Sequence, residues 1–155
     1  MSTVSRRLLI ASGAALALAG SAHAQTRGSR ALAVYKSPTC GCCEGWVAHM
    51  RQAGFTVAVH VVEDPGTVRR ARGLSDALAS CHTAVIGGYA IEGHVPAADV
   101  VRLLAERPEA VGLAAPGMPM GSPGMEAPGG RKQPYDTLLV LRSGQTRVWG
   151  RHNRV

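Results

Sequence analysis

The sequence predicts an α/β domain in which a central mixed sheet is flanked by helices. Short apolar runs alternate with segments of helical periodicity, which is typical of α/β proteins. The predicted order is strand, helix, strand, helix, hairpin, helix, followed by a long loop and a C-terminal hairpin. We therefore expect a small sandwich built on one sheet.

The first predicted strand covers residues 31–35, which are compact and apolar, and a turn at residues 36–39 follows it. Residues 42–53 predict a helix, because apolar side chains recur at helical spacing, and Gly54 is its expected C-terminal stop. The apolar positions of this helix, with Met50 expected in the core, are Trp46, Val47, Met50 and Ala53. The valine-rich residues 56–62 predict a second strand.

The middle of the chain continues the alternation. Residues 65–78 predict a weaker helix interrupted by a glycine, and residues 83–86 predict a third strand. A Gly-Gly turn leads to residues 89–95, the expected hairpin partner of that strand. The clearest helix begins at Pro96 and ends before Pro108.

Residues 112–134 predict a long irregular loop, because prolines alternate there with glycines and three methionines. Loops of this length usually have a functional task or lack order. Residues 137–141 and 146–149, joined by a Ser-Gly-Gln turn, predict the closing hairpin.

The N-terminus carries the features of a secretory signal peptide. Arg6 and Arg7 precede an apolar run over residues 8–20, and Ala22-His23-Ala24 provides the small-residue cleavage pattern. A membrane anchor is the alternative, but the run is broken by polar and glycine residues and falls short of the roughly 20 apolar residues that span a bilayer. The paired arginines also resemble a twin-arginine signal, which leaves the export route open.

We therefore expect cleavage after residue 24, export to the periplasm and no stable membrane insertion of the remainder. Residues 25–155 have a length that suits a single domain with one hydrophobic core. The formal net charge of the whole chain is +7, but its two Trp, three Tyr and one Phe offer few surfaces for stacking bases. Nucleic-acid binding is accordingly not expected.

The four cysteines are unevenly spaced for a set of structural disulfides. Export favours disulfides, but Cys40, Cys42 and Cys43 lie within four residues, and a Cys40–Cys43 bond would close too short a loop to stabilise much chain. Only a bond to Cys81 would constrain a long segment. The spacing favours metal binding or redox exchange over a structural role.

The pair Cys40 and Cys43 forms a C-x-x-C motif at the start of a predicted helix. Free backbone N–H groups and the helix dipole stabilise thiolates there, and thiolate serves both disulfide exchange and soft-metal binding. Strand, C-x-x-C and helix form the opening of a thioredoxin-like fold. Cys42 adds a third sulfur that a dithiol oxidoreductase does not need.

Cys81 precedes the third predicted strand, where a thioredoxin-like fold places a loop against the C-x-x-C pair. We expect it to complete a four-cysteine site, with a small buried side chain as the alternative. Zinc accepts four cysteines, but structural zinc sites generally use two separated pairs. Crowded thiolates favour bridging, as in Cu(I)–thiolate clusters.

Soft ligands of a second kind occur in the long loop. Thioethers suit Cu(I) and remain usable in an oxidising compartment, and the loop methionines have no helix or strand face to fill, which leaves metal binding and a hydrophobic lid as alternatives. Two histidines are further candidates, with satisfied surface positions as the alternative. These candidate ligands are Met118, Met120, Met125, His82 and His94.

Two other histidines, His49 and His60, occupy ordinary helix and strand positions. The sequence has no Ser-His-Asp order, phosphate-binding loop or H-E-x-x-H pattern, so hydrolase and kinase interpretations have no support.

Four segments together resemble the CopG-type copper-resistance family, long filed as a domain of unknown function. The similarity runs from about Ala31 to Trp149 and rests on the segments 35–43 (YKSPTCGCC), 79–85 (ASCHTAV), 92–96 (EGHVP) and 116–125 (PGMPMGSPGM). The resemblance implies a periplasmic, thioredoxin-like protein associated with copper-efflux systems. It also implies a copper site on Cys40, Cys42, Cys43 and Cys81 and a role in Cu(I)/Cu(II) interconversion.

Three functions follow as hypotheses. The first is a copper-resistance protein that holds Cu(I) in a cysteine-thiolate site, with histidines that accept Cu(II) when the site is oxidised. The second is an enzyme, a thiol–disulfide oxidoreductase in which Cys40 attacks and Cys43 resolves. The third is a passive copper metallochaperone.

Overall fold

The computed structural model describes residues 30–154, and the predicted signal peptide, residues 1–24, lies outside them. Three α-helices are α1 (Gly41–Gln52), α2 (Pro65–Ala71) and α3 (Ala97–Glu106). The strands are β1 (Ala31–Lys36), β2 (Thr56–Val61), β3 (His82–Ile86), β4 (Tyr89–Gly93), β5 (Ala110–Ala115), β6 (Tyr135–Leu141) and β7 (Thr146–His152). Short 3₁₀ turns occupy Asp76–Leu78 and Pro128–Gly130.

The strands form a single mixed sheet in the order β2-β1-β3-β4-β5-β6-β7. Strand β1 pairs with β2 in parallel, as β4 does with β5, and the remaining neighbours are antiparallel. The parallel pairs need helical crossovers, which α1 and α3 supply. The α/β class, the mixed sheet and the C-terminal hairpin predicted from the sequence are confirmed.

Alternating side chains divide the sheet between two apolar layers. The larger layer contains Trp46 and Met50 of α1, Val100 and Leu103 of α3, and inward positions of five strands. The smaller layer lies on the opposite face, where Leu74 and Leu78 pack against Ala90, Ala114 and Val140. The period-2 alternation of strands explains why Leu113 and Ala114, adjacent in β5, belong to different layers.

The prediction of an irregular segment beginning at residue 112 is wrong, because β5 continues to Ala115. This strand is built from Ala, Val, Gly and Leu, and its small side chains carry little strand propensity. Gly112 is required by packing, since a Cβ atom there would lie 1.7 Å from the carbonyl oxygen of Ala90 in the neighbouring strand. The loop begins at Pro116 instead.

Smaller differences concern element ends. The helix predicted over residues 65–78 stops at Ala71, and residues 76–78 form a separate 3₁₀ turn. Strand β7 extends to His152, beyond its predicted end. None of the helices within residues 30–154 has the length and apolar character that crossing a membrane requires.

Candidate metal centre

The three clustered cysteines lie where β1 passes into α1. Cys40 is the N-cap of α1 with extended backbone, and its N–H donates to the carbonyl oxygen of Ser37 at 3.4 Å. Cys42 and Cys43 lie in the first helical turn, where backbone N–H groups have no intrahelical acceptor. The predicted position of the thiols at a helix N-terminus is therefore found in the structure.

Two contacts fix this helix start relative to the sheet. Lys36 is only 4% exposed, and its ammonium lies 3.0 Å from a carboxylate oxygen of Glu44, which joins the end of β1 to the first turn of α1. The indole N–H of the fully buried Trp46 donates to the carbonyl oxygen of Val95 at 2.8 Å. The ion pair to β1 and the hydrogen bond to Val95 therefore fix the helix start that carries the cysteines.

All four cysteine sulfurs lie within 4.8 Å of one another. Cys40 and Cys43 are joined by a disulfide, while Cys42 and Cys81 are free thiols. The Sγ atom of Cys42 lies 3.5 Å from that of Cys40 and 3.7 Å from that of Cys81, and the Cys43 and Cys81 sulfurs are 3.6 Å apart. The predicted convergence of Cys81 on the other three is present.

The spacing predicted that a Cys40–Cys43 bond would not serve as a structural disulfide, and the structure joins these two residues in a disulfide of the C-x-x-C type. A Cys40–Cys43 bond closes only a short loop, so it adds little loop-closure stabilisation, as argued from the spacing. The bond nevertheless forms because one helical turn brings the two Cα atoms to 5.5 Å, within the usual range for a disulfide. Its position in a C-x-x-C motif is typical of an exchangeable bond.

Two histidines extend the site on the side of Cys81. Nε2 of His94 lies 3.0 Å from the Cys81 sulfur, and Nδ1 of His82 lies 3.4 Å from it. Both rings are fully buried, so the alternative of satisfied surface histidines is wrong. Cys81, His82 and His94 therefore form a second group of ligand atoms that shares one sulfur with the four-cysteine group.

The hydrogen bonds of His94 define its tautomer. Nδ1 is 2.8 Å from the carbonyl oxygen of Pro123, which can only accept, so Nδ1 carries the proton. The neutral ring then presents an unprotonated Nε2 to Cys81. A ligand histidine commonly has this arrangement, with its second nitrogen donating to a carbonyl group.

Burial keeps these groups uncharged without metal. It lowers the pKa of His82 to about 3, with a further contribution from His94, and it lowers the pKa of His94. Burial also raises the pKa of Cys81 to about 12, and the neighbouring Cys42 adds to this shift. A metal bound by Cys81 would therefore displace a proton.

The loop with the methionines packs on the start of α1. Ser122 is fully buried, and a Cβ atom on Gly124 would lie 2.5 Å from the backbone nitrogen of Trp46 and 2.7 Å from the carbonyl oxygen of Cys42. Met118 is 54% exposed, whereas Met120 and Met125 are partly buried. The loop thus lies beside the cysteines, and ligation by its thioethers stays a prediction.

His49 and His60 match their predicted positions in a helix and a strand. His49 lies in α1, where its Nε2 accepts the N–H of Ala97 at 3.0 Å, and His60 lies in β2 and stacks on Tyr35.

Sequence reasoning missed two groups at this site. One is the carbonyl of Pro123, which contacts His94, and the other is the carboxylate of Glu92, which binds the N–H of Ser80 next to Cys81. The only signal for Glu92 was its place in the 92–96 segment, directly before His94.

Comparison with known proteins identifies a matching family model and two similar solved structures. A family described as a protein of unknown function, DUF411, matches residues 78–125, which contain Cys81, both buried histidines and the methionine loop. No protein with a curated description matches the chain.

Two solved structures, Form 1 and Form 2 of a copper resistance protein CopG, are each 45% identical to the chain and cover 79% of it. Their TM-scores are 0.74 and 0.75, and the similarity covers 96% and 97% of those chains. Since identity at this level extends over nearly the whole length of those proteins, the chain belongs to the CopG-type copper-resistance family.

Proposed function

We propose that the protein binds copper for copper resistance or homeostasis, with Cys40, Cys42, Cys43 and Cys81 as the ligands of Cu(I). The observation that carries this proposal is the convergence of four cysteine sulfurs within 4.8 Å on a chain whose relatives are copper resistance proteins. Thiolates are soft ligands that select Cu(I) over Mg²⁺, Ca²⁺ or Mn²⁺.

The crowding of the sulfurs favours a multinuclear site. Three of the four ligands come from one short segment, and thiolates crowded in this way favour bridging between Cu(I) ions. The sulfur separations of 3.5 to 3.7 Å are compatible with such a cluster, although sulfurs about 2.3 Å from a single tetrahedral ion also lie about 3.8 Å apart. Full occupancy requires reduction of the Cys40–Cys43 disulfide, because a bonded sulfur is no longer a thiolate. The thiol form would hold the most copper.

The same pair supports a redox role. Two Cu(II) ions that take one electron each from the Cys40 and Cys43 thiols would become two Cu(I) ions, with formation of the disulfide and release of two protons. Neutral imidazoles at His82 and His94 are suitable ligands for Cu(II), and they adjoin the thiol of Cys81. A dithiol reductant would return the pair to its reduced state.

Export to the periplasm, predicted from residues 1–24, would place this chemistry in the compartment that the resemblance to the CopG-type family implies. The loop methionines Met118, Met120 and Met125 would act as soft ligands or as a lid over the bound copper. The partly buried Met120 and Met125 are better placed for a lid than the exposed Met118.

A second candidate function is thiol–disulfide exchange without metal. The Cys40–Cys43 disulfide at the start of α1 favours it, since this is the position of a reactive C-x-x-C pair. A passive metallochaperone is the third candidate, and it would transfer copper without a change of oxidation state. Cys42 separates the first two functions, because exchange needs only the outer pair.

The deciding experiment is an anaerobic titration of the reduced, metal-free protein with Cu(I) against a competing chelator. We expect more than one tightly bound copper per chain and a lower stoichiometry for Cys42→Ser. Weak or absent binding would refute the copper proposal. Metal-independent disulfide reductase activity that Cys42→Ser leaves unchanged would establish the exchange function instead.

A further inference from the structure

Glu92 is a fully buried carboxylate that holds the segment carrying Cys81. Its Oε1 accepts the backbone N–H of Ser80 at 2.8 Å, and its Oε2 accepts the hydroxyl of Thr83 at 2.6 Å. Ser80 and Thr83 flank Cys81 and His82 in the chain. One side chain of β4 therefore binds the backbone just before Cys81 and the Thr83 side chain just after His82.

The charge of this carboxylate is compensated inside the protein. A guanidinium nitrogen of Arg69, a residue that is 7% exposed, lies 3.6 Å from Glu92 Oε1, and Arg69 also pairs with Asp76. A buried charge is tolerated only when it is paired and hydrogen-bonded, and Glu92 satisfies both conditions. The contact with Ser80 is thus anchored through Arg69 to α2.

Three consecutive residues touch the Ser80–Cys81 segment. Glu92 binds the Ser80 N–H, and a Cβ atom on Gly93, whose φ is +71°, would lie 2.5 Å from the Ser80 side chain. The His94 ring then reaches the sulfur of Cys81 at 3.0 Å. Residues 92–94 therefore form a surface against which Cys81 is set, independently of the helix that carries the other cysteines.

This placement matters because Cys81 has two other sulfurs as neighbours. Its Sγ lies 3.6 Å from Cys43 and 3.7 Å from Cys42, whereas a disulfide requires about 2.05 Å, so bonding needs a shift of about 1.5 Å. Cys81 remains a free thiol while Cys40 and Cys43 are bonded. Under oxidising conditions, a structural feature must therefore keep the Cys81 sulfur from approaching Cys42 or Cys43.

We infer that Glu92 is a positioning residue that directs oxidation to the Cys40–Cys43 pair by holding Cys81 short of bonding distance from Cys43 and Cys42. In this reaction, a low-molecular-weight disulfide takes two electrons and two protons from the Cys40 and Cys43 thiols. Its own S–S bond breaks to give two thiols while the protein disulfide forms. The inference goes beyond copper binding and does not depend on it, because it concerns the metal-free protein.

The test oxidises reduced, metal-free protein with excess oxidised glutathione and then maps the disulfides by mass spectrometry. Trypsin cuts after Lys36, Arg51 and Arg72, so a disulfide to Cys81 joins two peptides, whereas Cys40–Cys43 stays within one. We expect the wild type to give almost only the internal bond. Glu92→Ala leaves the Ser80 N–H without its acceptor and should raise the share of cross-linked peptides by about tenfold or more.

Two variants separate this role from general destabilisation. Glu92→Gln retains an oxygen for Ser80 and an amide for the Thr83 hydroxyl, so its disulfide map should match that of the wild type. Asp99→Asn replaces another buried carboxylate, which contacts His152 in a different part of the fold, by an uncharged amide. This variant should also leave the disulfide map unchanged.

A wild-type map for Glu92→Ala would overturn the inference, as would an equal rise in cross-linked peptides for Asp99→Asn. If Glu92→Ala does not fold by circular dichroism, Thr83→Val decides, because it removes one contact of the carboxylate with little change in volume. A rise in cross-linking for Thr83→Val then supports the inference, and an unchanged map refutes it. Loss of copper binding has no bearing on either result.

Discussion

His94 faces Cys81 with its unprotonated nitrogen, and the chain enforces this orientation from 29 residues away. The carbonyl oxygen of Pro123 accepts the Nδ1 proton at 2.8 Å, which leaves Nε2 at 3.0 Å from the Cys81 sulfur. The methionine loop therefore orients the His94 ring whether or not its thioethers bind a metal.

The first prediction concerns this ring. His94→Ala removes the nitrogen next to Cys81, and we expect copper affinity to fall by about tenfold or more, the usual effect of altering the surroundings of a metal ligand. Competition titration measures it. His60→Ala is the matched control, because His60 lies in the edge strand β2 and stacks only on Tyr35. Equal affinities of the two variants would contradict a role for His94.

The second prediction concerns the approach of the methionine loop to α1. Gly124→Ala introduces a Cβ atom 2.5 Å from the nitrogen of Trp46 at a φ of +82°, so both the contact and the backbone disfavour it. Gly117→Ala has a similar φ of +71° but no atom within 4 Å of its Cβ. Left-handed backbone costs about 1–2 kcal/mol in either variant.

We therefore expect Gly124→Ala to lower the free energy of unfolding more than Gly117→Ala, and to weaken copper binding as the loop moves off His94. Urea denaturation and copper titration give the two readouts. Identical behaviour of the variants would mean that the close packing of Gly124 on α1 has no energetic weight.

Residues near one another in sequence were the most predictable part of the site. The C-x-C-C spacing placed three thiols at a helix start, and Cys81 before β3 completed the group, as the structure has it. Helical and strand periodicity likewise predicted α1, α3 and most strands, since these elements bury regular apolar stripes.

Long-range polar contacts were beyond the reach of pattern reasoning. The partner of His94 is a backbone carbonyl, which every residue possesses, so no side-chain pattern marks Pro123. Strand β5 was not predicted because Ala and Gly make up most of it. Gly112 is needed there because the backbone of the neighbouring strand β4 leaves no room for a Cβ atom. His82 and His94 were predicted as candidate ligands, but their burial was not, since it depends on contacts with Trp46 and Pro123 that are distant in sequence.

The third prediction concerns Trp46, which links α1 to the segment before α3. Trp46→Phe removes the N–H that the Val95 carbonyl oxygen accepts at 2.8 Å and leaves a gap in a fully buried position. We expect a loss of about 1–3 kcal/mol in the free energy of unfolding from the unpaired group, with more from the lost volume. Urea denaturation monitored by circular dichroism measures it.

Trp149→Phe is a suitable comparison for that variant. The Trp149 indole N–H donates to the Asp99 carbonyl oxygen over a longer 3.3 Å, and the side chain is only partly buried. Its substitution should cost less. A larger loss for Trp149→Phe than for Trp46→Phe would show that the contact with Val95 contributes little to holding α1.

The last prediction concerns the part of the pH dependence of stability that arises from His49, beside the contributions of the buried His82 and His94. Its Nε2 accepts the N–H of Ala97 at the start of α3, which only the neutral ring can do, and burial lowers its pKa below the ordinary 6.5. The unfolded chain therefore binds a proton at a higher pH than the folded chain. This contribution to stability is complete above pH 6.5 and is lost as the pH falls from 6.5 through the lower folded pKa.

We expect the free energy of unfolding of the metal-free protein to decline from pH 7.5 to pH 5, and to decline less in His49→Gln, which keeps an acceptor but does not titrate. Urea denaturation at each pH provides the comparison. His60→Gln serves as the control, since it removes an exposed histidine and should leave the wild-type slope. If wild type and His49→Gln lose stability in parallel, the hydrogen bond to Ala97 does not couple to protonation.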